Sequence, residues 1–204
     1  MFIALEGIDG SGKSTQMKLL AARFTDAGFK VYTTFEPTDS IIGSIIRDIM
    51  KGKMKADEKV IAGLFVADRL NHLLEEENGI VKKLKEGYVV ITDRYYFSSY
   101  AYHGTHMDME WVINANAMSA GILRPDINIF IDVSPEISMQ RVMQNRDEVE
   151  RYETLENLQN VKRKYLEAFK KLKDEENILI VNGDRPPGII SDEIWKEISL
   201  RKKI

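Results

Sequence analysis

The 204-residue chain contains no cysteine, so it can form neither disulfides nor thiolate metal sites, and this usage fits a reducing compartment. No apolar run approaches the roughly 20 residues needed to span a bilayer. The apolar stretch Phe2-Ile3-Ala4-Leu5 follows Met1 so closely that no secretory leader is expected. Excess positive charge is also lacking. The 29 Lys and Arg are outnumbered by 32 Asp and Glu, for a formal charge of −3, which is not the basic footprint of a nucleic-acid polymer binder. No internal repeat, low-complexity stretch or linker divides the chain, so residues 1–204 read as one domain. The expectation is a cytoplasmic protein with neither a membrane nor a nucleic-acid polymer among its partners.

What is present starts directly after that first apolar run. Gly7-Ile8-Asp9-Gly10-Ser11-Gly12-Lys13-Ser14-Thr15 carries the spacing GxxxxGK[ST]. Glycines there let consecutive backbone N–H groups turn onto phosphate oxygens, and the following helix adds the positive end of its dipole. Lys13 reaches the β and γ phosphates, while Ser14 supplies an oxygen for Mg²⁺. A Gly-rich turn without a ligand is the bland alternative. Helical spacing of Met17, Leu19, Leu20 and Phe24 downstream favours the phosphate loop.

Five apolar runs read as strands: Phe2 to Leu5, Val31 to Phe35, Tyr88 to Thr92, Ile127 to Val133, and Ile178 to Val181. They are continuously apolar rather than alternating, as strands covered on both faces should be. Amphipathic stretches between them complete a βαβα order. The expected fold is α/β: a doubly wound, five-stranded parallel sheet of P-loop type, flanked by helices. Ligands of such sheets bind beyond the carboxyl ends of the strands. Gly7 to Thr15, Glu36-Pro37-Thr38, Asp93-Arg94-Tyr95 and Asn182-Gly183-Asp184-Arg185 all fall there.

A phosphate loop serves GTPases, motor ATPases and small-molecule kinases. The Asn-Lys-x-Asp guanine-reading motif of a GTPase is absent. At the end of the third strand, Asp93 can hold the Mg²⁺ shell and Arg94 can grip a second phosphate bidentately; a strand-end ion pair is the alternative. In the segment Glu58 to Leu74, helical spacing gathers Val60, Leu64, Ala67, Leu70 and Leu74 into an expected core stripe. Phe65 then projects from nearly the opposite face beside Asp68, Arg69 and His72. An aromatic four positions before an arginine can stack on a base while the arginine reaches its edge. It can equally pack against another helix.

Glu6-Gly-Ile-Asp-Gly-Ser-Gly-Lys-Ser-Thr-Gln16, Phe35-Glu-Pro-Thr38, Leu64-Phe-Val-Ala-Asp-Arg69 and Asp93-Arg-Tyr-Tyr-Phe-Ser-Ser-Tyr-Ala-Tyr102 together resemble the thymidylate kinases, in order and in spacing. The resemblance implies transfer of the γ-phosphoryl of ATP to dTMP, giving dTDP and ADP, with Mg²⁺ and as a homodimer. It implies thymine contacts for Phe65 and Arg69, and Arg47 with Arg94 on the acceptor phosphate. Asp9 would face the acceptor's sugar and phosphate. Ser98, Ser99 and Tyr102 would line the same pocket, the Tyr102 ring filling the space that a ribose 2′-hydroxyl needs. His103 departs from the Ala-Tyr-Gln-Gly that many bacterial relatives carry. Some members hold a catalytic arginine in the P-loop and others in a lid. Between Asp9 and Gly12 this chain has only Gly10 and Ser11, so the duty falls to the lid at about 141–153, with Arg146 first and Arg151 second. Arg141 and Asp184 lie where the family holds adenine. Rival readings are another nucleoside-monophosphate kinase, or a nucleotide sensor without turnover.

Overall fold

The computed structural model describes residues 1–145, 152 and 154–202. In chain order the elements are β1 (Phe2–Glu6), α1 (Lys13–Asp26), β2 (Val31–Phe35), α2 (Ile41–Met50), α3 (Glu58–Leu74), α4 (Ile80–Lys85), β3 (Val89–Asp93), α5 (Tyr96–His103), α6 (Met109–Ala115), α7 (Ala117–Ile122), β4 (Ile127–Asp132), α8 (Pro135–Asn145), α9 (Leu155–Leu172), β5 (Ile178–Asn182) and α10 (Pro187–Lys202). All five strands pair in parallel in the order β2-β3-β1-β4-β5. This is the α/β architecture expected from the strand pattern. The chain reverses its winding direction around β1, which opens a crevice at the strand ends on either side of it.

Continuous apolarity of β1 has a direct cause. Phe2 and Ala4 face one core, with Tyr96, Phe97, Phe130, Tyr165 and Phe169, while Ile3 and Leu5 face another, with Leu20, Phe24, Ile194 and Ile198. Alternate side chains of a strand point to opposite faces, so both sets must be apolar when helices cover both. α9 supplies the first core through Leu158, Val161, Tyr165, Ala168, Phe169 and Leu172, an i, i+3, i+4 stripe, and starts at Thr154, whose hydroxyl accepts the Asn157 N–H at 3.3 Å.

α3 departs from its expected stripe. Val60 and Leu74 are exposed, at 53% and 57%, and the inward face carries Ile61, Ala62, Asp68, Arg69, His72 and Leu73. Three polar side chains can be buried there because each finds a partner. Asp68 accepts from the Thr38 N–H at 2.8 Å, the Thr38 hydroxyl at 2.6 Å and the Ser40 hydroxyl at 2.9 Å. His72 contacts Thr34 at 2.6 Å and Glu36 at 3.2 Å, and Arg69 pairs with Glu36 at 2.6 Å. Unpaired, such groups would each cost several kcal/mol, on the order of 2–7. A count of apolar residues cannot anticipate partners that come from a different strand.

Candidate active site

The loop between β1 and α1 takes its shape from glycines at positive φ. Gly10 stands at φ +78, and a Cβ there would lie 2.5 Å from the Ser138 carbonyl oxygen; Gly12, at φ +95, caps α1. Neither position suits an L side chain. Lys13 is buried and its Nζ turns back onto the Gly7 and Ile8 carbonyls at 3.1 Å each. Burial pushes its ammonium down to about 8, with the Arg94 charge acting in the same direction and Asp93, Asp9 and Glu6 opposing it. The Ser14 hydroxyl donates to Asp93 at 2.8 Å. Pairing of Leu5 with Asp93 in the sheet brings the ends of β1 and β3 level, and this register sets both groups side by side.

One residue further, Arg94 has a left-handed backbone, φ +77, a conformation that costs a non-glycine residue on the order of 1–3 kcal/mol. Its guanidinium forms an ion pair with Asp9 and donates to Ser98 Oγ at 3.1 Å, Tyr102 Oη at 3.2 Å and the Gly7 carbonyl at 3.3 Å. It also lies over the Tyr102 ring, 4.9 Å from its centroid. The Tyr102 hydroxyl donates to Asp9 at 2.8 Å. Burial opposes the charge of Arg94, but Tyr102 and Asp9 more than compensate and hold its pKa well above the ordinary range.

Two cavities meet at this point. The first is lined by Phe65, Arg69, Ser99, Tyr102, His103 and Tyr152, among others, and the second by Gly10, Gly12, Lys13, Ser14, Thr15, Asp93 and Arg141, among others. Asp9, Glu36 and Arg94 line both. Phe65 therefore does face a cavity, against the His103 ring at a centroid distance of 5.1 Å. His103 is 2% exposed and its Nδ1 has no hydrogen-bond partner among the described residues. Burial, helped by Arg69, pulls this imidazole down to about 3, so it is neutral at pH 7.

Arg69 differs from the expected base-reading arginine in one respect. Its five contacts match its five N–H donors: Glu36 twice, at 2.9 and 2.6 Å, Ser99 Oγ at 3.0 Å, the Tyr95 carbonyl at 3.2 Å, and Asn116 Oδ1. No donor is left over for a base carbonyl unless one of these partners yields. The hydroxyls of Ser98 and Ser99 are likewise engaged, with Glu6 and Arg69 respectively. Arg47 is not among the residues that line the first cavity; it donates to the carbonyls of Pro37, at 3.0 Å, and Thr38, and so braces the loop after β2. Arg141 donates to the Gly183 carbonyl at 3.3 Å, and Asp184 accepts the Ser134 N–H at 3.3 Å, which keeps these two groups near one another at the ends of β4 and β5. Arg146 and Arg151 lie outside the described residues.

Sequence reasoning missed several members of this site. Asn116 stands at the junction of α6 and α7 and Tyr165 comes from α9, none of which carries a motif. Glu6 and Glu36 sat inside quoted motifs, but nothing local reveals that a carboxylate at a strand end is fully buried. Tyr152 closes one wall of the first cavity, its hydroxyl donating to Glu58 at 2.6 Å.

A glycine-rich phosphate loop at the winding reversal of a parallel sheet, opening beside a second cavity across one arginine, defines a P-loop kinase of small molecules. Sequence comparison narrows the class. Residues 5–194 match the family model for thymidylate kinase. The chain is 35% identical over 202 residues to a probable thymidylate kinase of Methanosphaera stadtmanae, covering 97% of each. It is 40% identical over 185 residues to one of Methanocaldococcus jannaschii, covering 89% of this chain and 86% of the relative. With one of Pyrococcus horikoshii the identity is 44% over 147 residues, 69% of each. The chain belongs to the thymidylate kinase family.

Proposed function

We infer that this chain is an ATP-dependent nucleoside-monophosphate kinase that transfers the γ-phosphoryl of ATP to dTMP, giving dTDP and ADP. The observation that carries this reading is the meeting of two cavities at Arg94 and Asp9, one of them lined by the phosphate loop. Transfer between two anions requires their repulsion to be neutralised and their oxygens aligned. Arg94 takes the acceptor phosphate, while Lys13 and the backbone N–H groups from Gly7 to Thr15 take the phosphates of ATP. Phe65 stacks on thymine, Arg69 forms the polar end of that wall, and Tyr102 fills the space of a 2′-hydroxyl. Arg47 reaches the acceptor phosphate only if it exchanges its loop carbonyls for phosphate oxygens.

Ser14 and Asp93 fit Mg²⁺, being two hard oxygen donors already adjacent at the mouth of the phosphate loop. Bound there, the ion neutralises charge on the β and γ phosphates. Ser14 and Asp93 are the residues that would hold the ion; among the described residues no group of three or more His, Cys, Asp or Glu side chains stands together for a metal. Arg146, with Arg151 second, supplies charge to the transferring phosphoryl from the lid. This follows from a phosphate loop that holds Gly10 and Ser11 but no arginine. Arg141 and Asp184 flank adenine. A single domain, a homodimer and a cytoplasmic location complete the reading; no helix among the described residues is long and apolar enough to cross a membrane.

One assay tests the assignment: ATP and Mg²⁺ with dTMP, dUMP, UMP, dCMP and AMP in parallel. The expected outcome is fastest turnover with dTMP. Preference for AMP would identify a different monophosphate kinase, and nucleotide binding without turnover on any acceptor would identify a sensor.

A further inference from the structure

Arg94 stands at the junction of the two cavities with a backbone conformation that its surroundings must enforce. Its own N–H donates to the Leu5 carbonyl at 2.9 Å, and its carbonyl accepts from the Thr92 hydroxyl at 2.9 Å. The next peptide N–H, that of Tyr95, donates to Glu6 Oε1 at 2.9 Å. The other oxygen of the same carboxylate accepts from Ser98 Oγ at 2.6 Å and from Tyr165 Oη at 3.0 Å. Ser98 Oγ in turn accepts from the Arg94 guanidinium at 3.1 Å. One carboxylate thus holds both the peptide that follows Arg94 and the hydroxyl that carries its guanidinium.

We propose that Glu6 is the positioning residue for the acceptor phosphate: it fixes the backbone and the rotamer through which Arg94 meets a nucleoside monophosphate. Glu6 touches no ligand itself, since it is 0% exposed and lines neither cavity. Its side chain supplies two acceptor oxygens on opposite sides, one for the Tyr95 peptide and one for the two hydroxyls. Burial pushes this carboxyl up to about 7, against the pull of Ser98, Arg94, Tyr165 and the Tyr95 peptide. Both oxygens accept only while the carboxyl is ionised, the form that these four partners favour.

An amide of the same shape cannot reproduce that geometry. In Glu6→Gln one acceptor becomes an NH₂ donor. Facing Ser98, it competes with Arg94 for the lone pairs of the hydroxyl; facing Tyr95, it opposes a peptide N–H. Either arrangement loosens Arg94 without changing the wall that meets the base.

The inference rests on the reading of Arg94 as the ligand of the acceptor phosphate, and the experiment separates the two. Calorimetric affinities of dTMP, thymidine and ADP are measured for the wild type, Glu6→Gln and Arg94→Ala. Glu6→Gln should bind dTMP roughly three- to tenfold more weakly, the range of one lost or misdirected hydrogen bond. Thymidine, which lacks the phosphate, and ADP should stay within about twofold. In steady state the KM for dTMP should rise more than kcat falls. Equal losses for thymidine and dTMP, or an unchanged dTMP affinity in Glu6→Gln beside a large loss in Arg94→Ala, would overturn the role of Glu6. An unchanged dTMP affinity in Arg94→Ala would instead overturn the phosphate role of Arg94. Should Glu6→Gln not fold, Tyr165→Phe decides, because it removes one contact to Glu6 and Ser98 from outside both cavities. A loss confined to dTMP supports the proposal, and an equal affinity for dTMP in that variant refutes it.

Discussion

The acceptor cavity and the phosphate loop solve the burial of charge in opposite ways. Around the acceptor cavity the charges are matched by groups from other elements: Arg69 by Glu36, Ser99, Asn116 and Tyr95, and Arg94 by Asp9, Ser98 and Tyr102. In the loop, among the described residues, Lys13 donates to the carbonyls of its own loop, Gly7 and Ile8. The acceptor wall is a finished polar network, whereas the loop opens onto the cleft lined by Lys13, Ser14, Asp93 and Arg141. Networks in a low-dielectric interior are rigid when fully satisfied, so the acceptor wall is built before a ligand arrives. Local carbonyl partners are exchanged more readily, and phosphate oxygens can take their place on Lys13.

The largest effect should come from breaking the finished network. Glu36→Ala leaves Arg69 buried without its anion, and such a loss typically costs about 3–5 kcal/mol. Chemical denaturation should show a stability loss of that order. A loss below about 1 kcal/mol would mean that the remaining partners carry Arg69, and the contrast with Lys13 would shrink.

Lys13→Ala should do the reverse, lowering kcat by about a hundred- to thousandfold while the melting temperature changes by only a few degrees. The Gly7 carbonyl keeps a second donor, the Arg94 guanidinium at 3.3 Å. A fall in melting temperature as steep as that of Glu36→Ala would make Lys13 a structural clamp.

Phe65→Ala tests the apolar part of the acceptor wall. Base–aromatic stacking is worth about 1–3 kcal/mol, so dTMP affinity should drop by roughly tenfold with ADP affinity unchanged. Calorimetry on both nucleotides distinguishes this from a packing role, in which melting temperature falls and dTMP affinity does not.

His103 gives the smallest effect at neutral pH, where its imidazole is largely uncharged in both states, and the finest test. Its folded-state pKa lies near 3, below the ordinary 6.5, because burial and the Arg69 charge disfavour the imidazolium. Between those values the unfolded chain binds more protons than the folded one, so this group makes stability rise with pH from about 3 to 6.5 and adds no slope above it. His103→Gln should remove this group's share of the acid limb and leave the slope between pH 7 and 8, where Glu6 and Lys13 titrate, as in the wild type. An unchanged acid limb, or an NMR titration of His103 near 6.5, would show that the acceptor wall is wetter than its geometry indicates.

Legibility in the sequence followed the range of the interactions. The phosphate loop could be read because its parts are contiguous, and Gly10, Gly12, Lys13 and Ser14 act within one turn of chain. The three central strands could be read because covering both faces of a sheet demands continuous apolarity, while β2 and β5, at the sheet edges, are only partly covered; boundaries shifted only at the ends, as where β3 extends to Asp93. The inward face of α3 could not be read. Asp68, Arg69 and His72 are tolerated inside by Thr38, Glu36 and Thr34, which follow β2 or lie within it, some 30 residues away. Seen from the helix alone they signal solvent. Asn116 gave no sign at all, since a single asparagine at a helix junction matters here only because the Arg69 guanidinium comes to rest beside it.

By itself the sequence determined the α/β class and the phosphate loop, because continuous apolar runs and short-range spacing carry those in a few contiguous stretches, and its motifs resemble the kinase family to which comparison assigns it. Only the tertiary structure decided which polar groups are buried and with what. Glu6 beneath Arg94, Glu36 on Arg69 and Tyr102 on Asp9 are pairings across strands and helices, set by sheet register and by the packing of α3 and α5. The physical reason is that each of these buried charges is held by a partner from a distant part of the chain, and no local pattern records where that partner will stand.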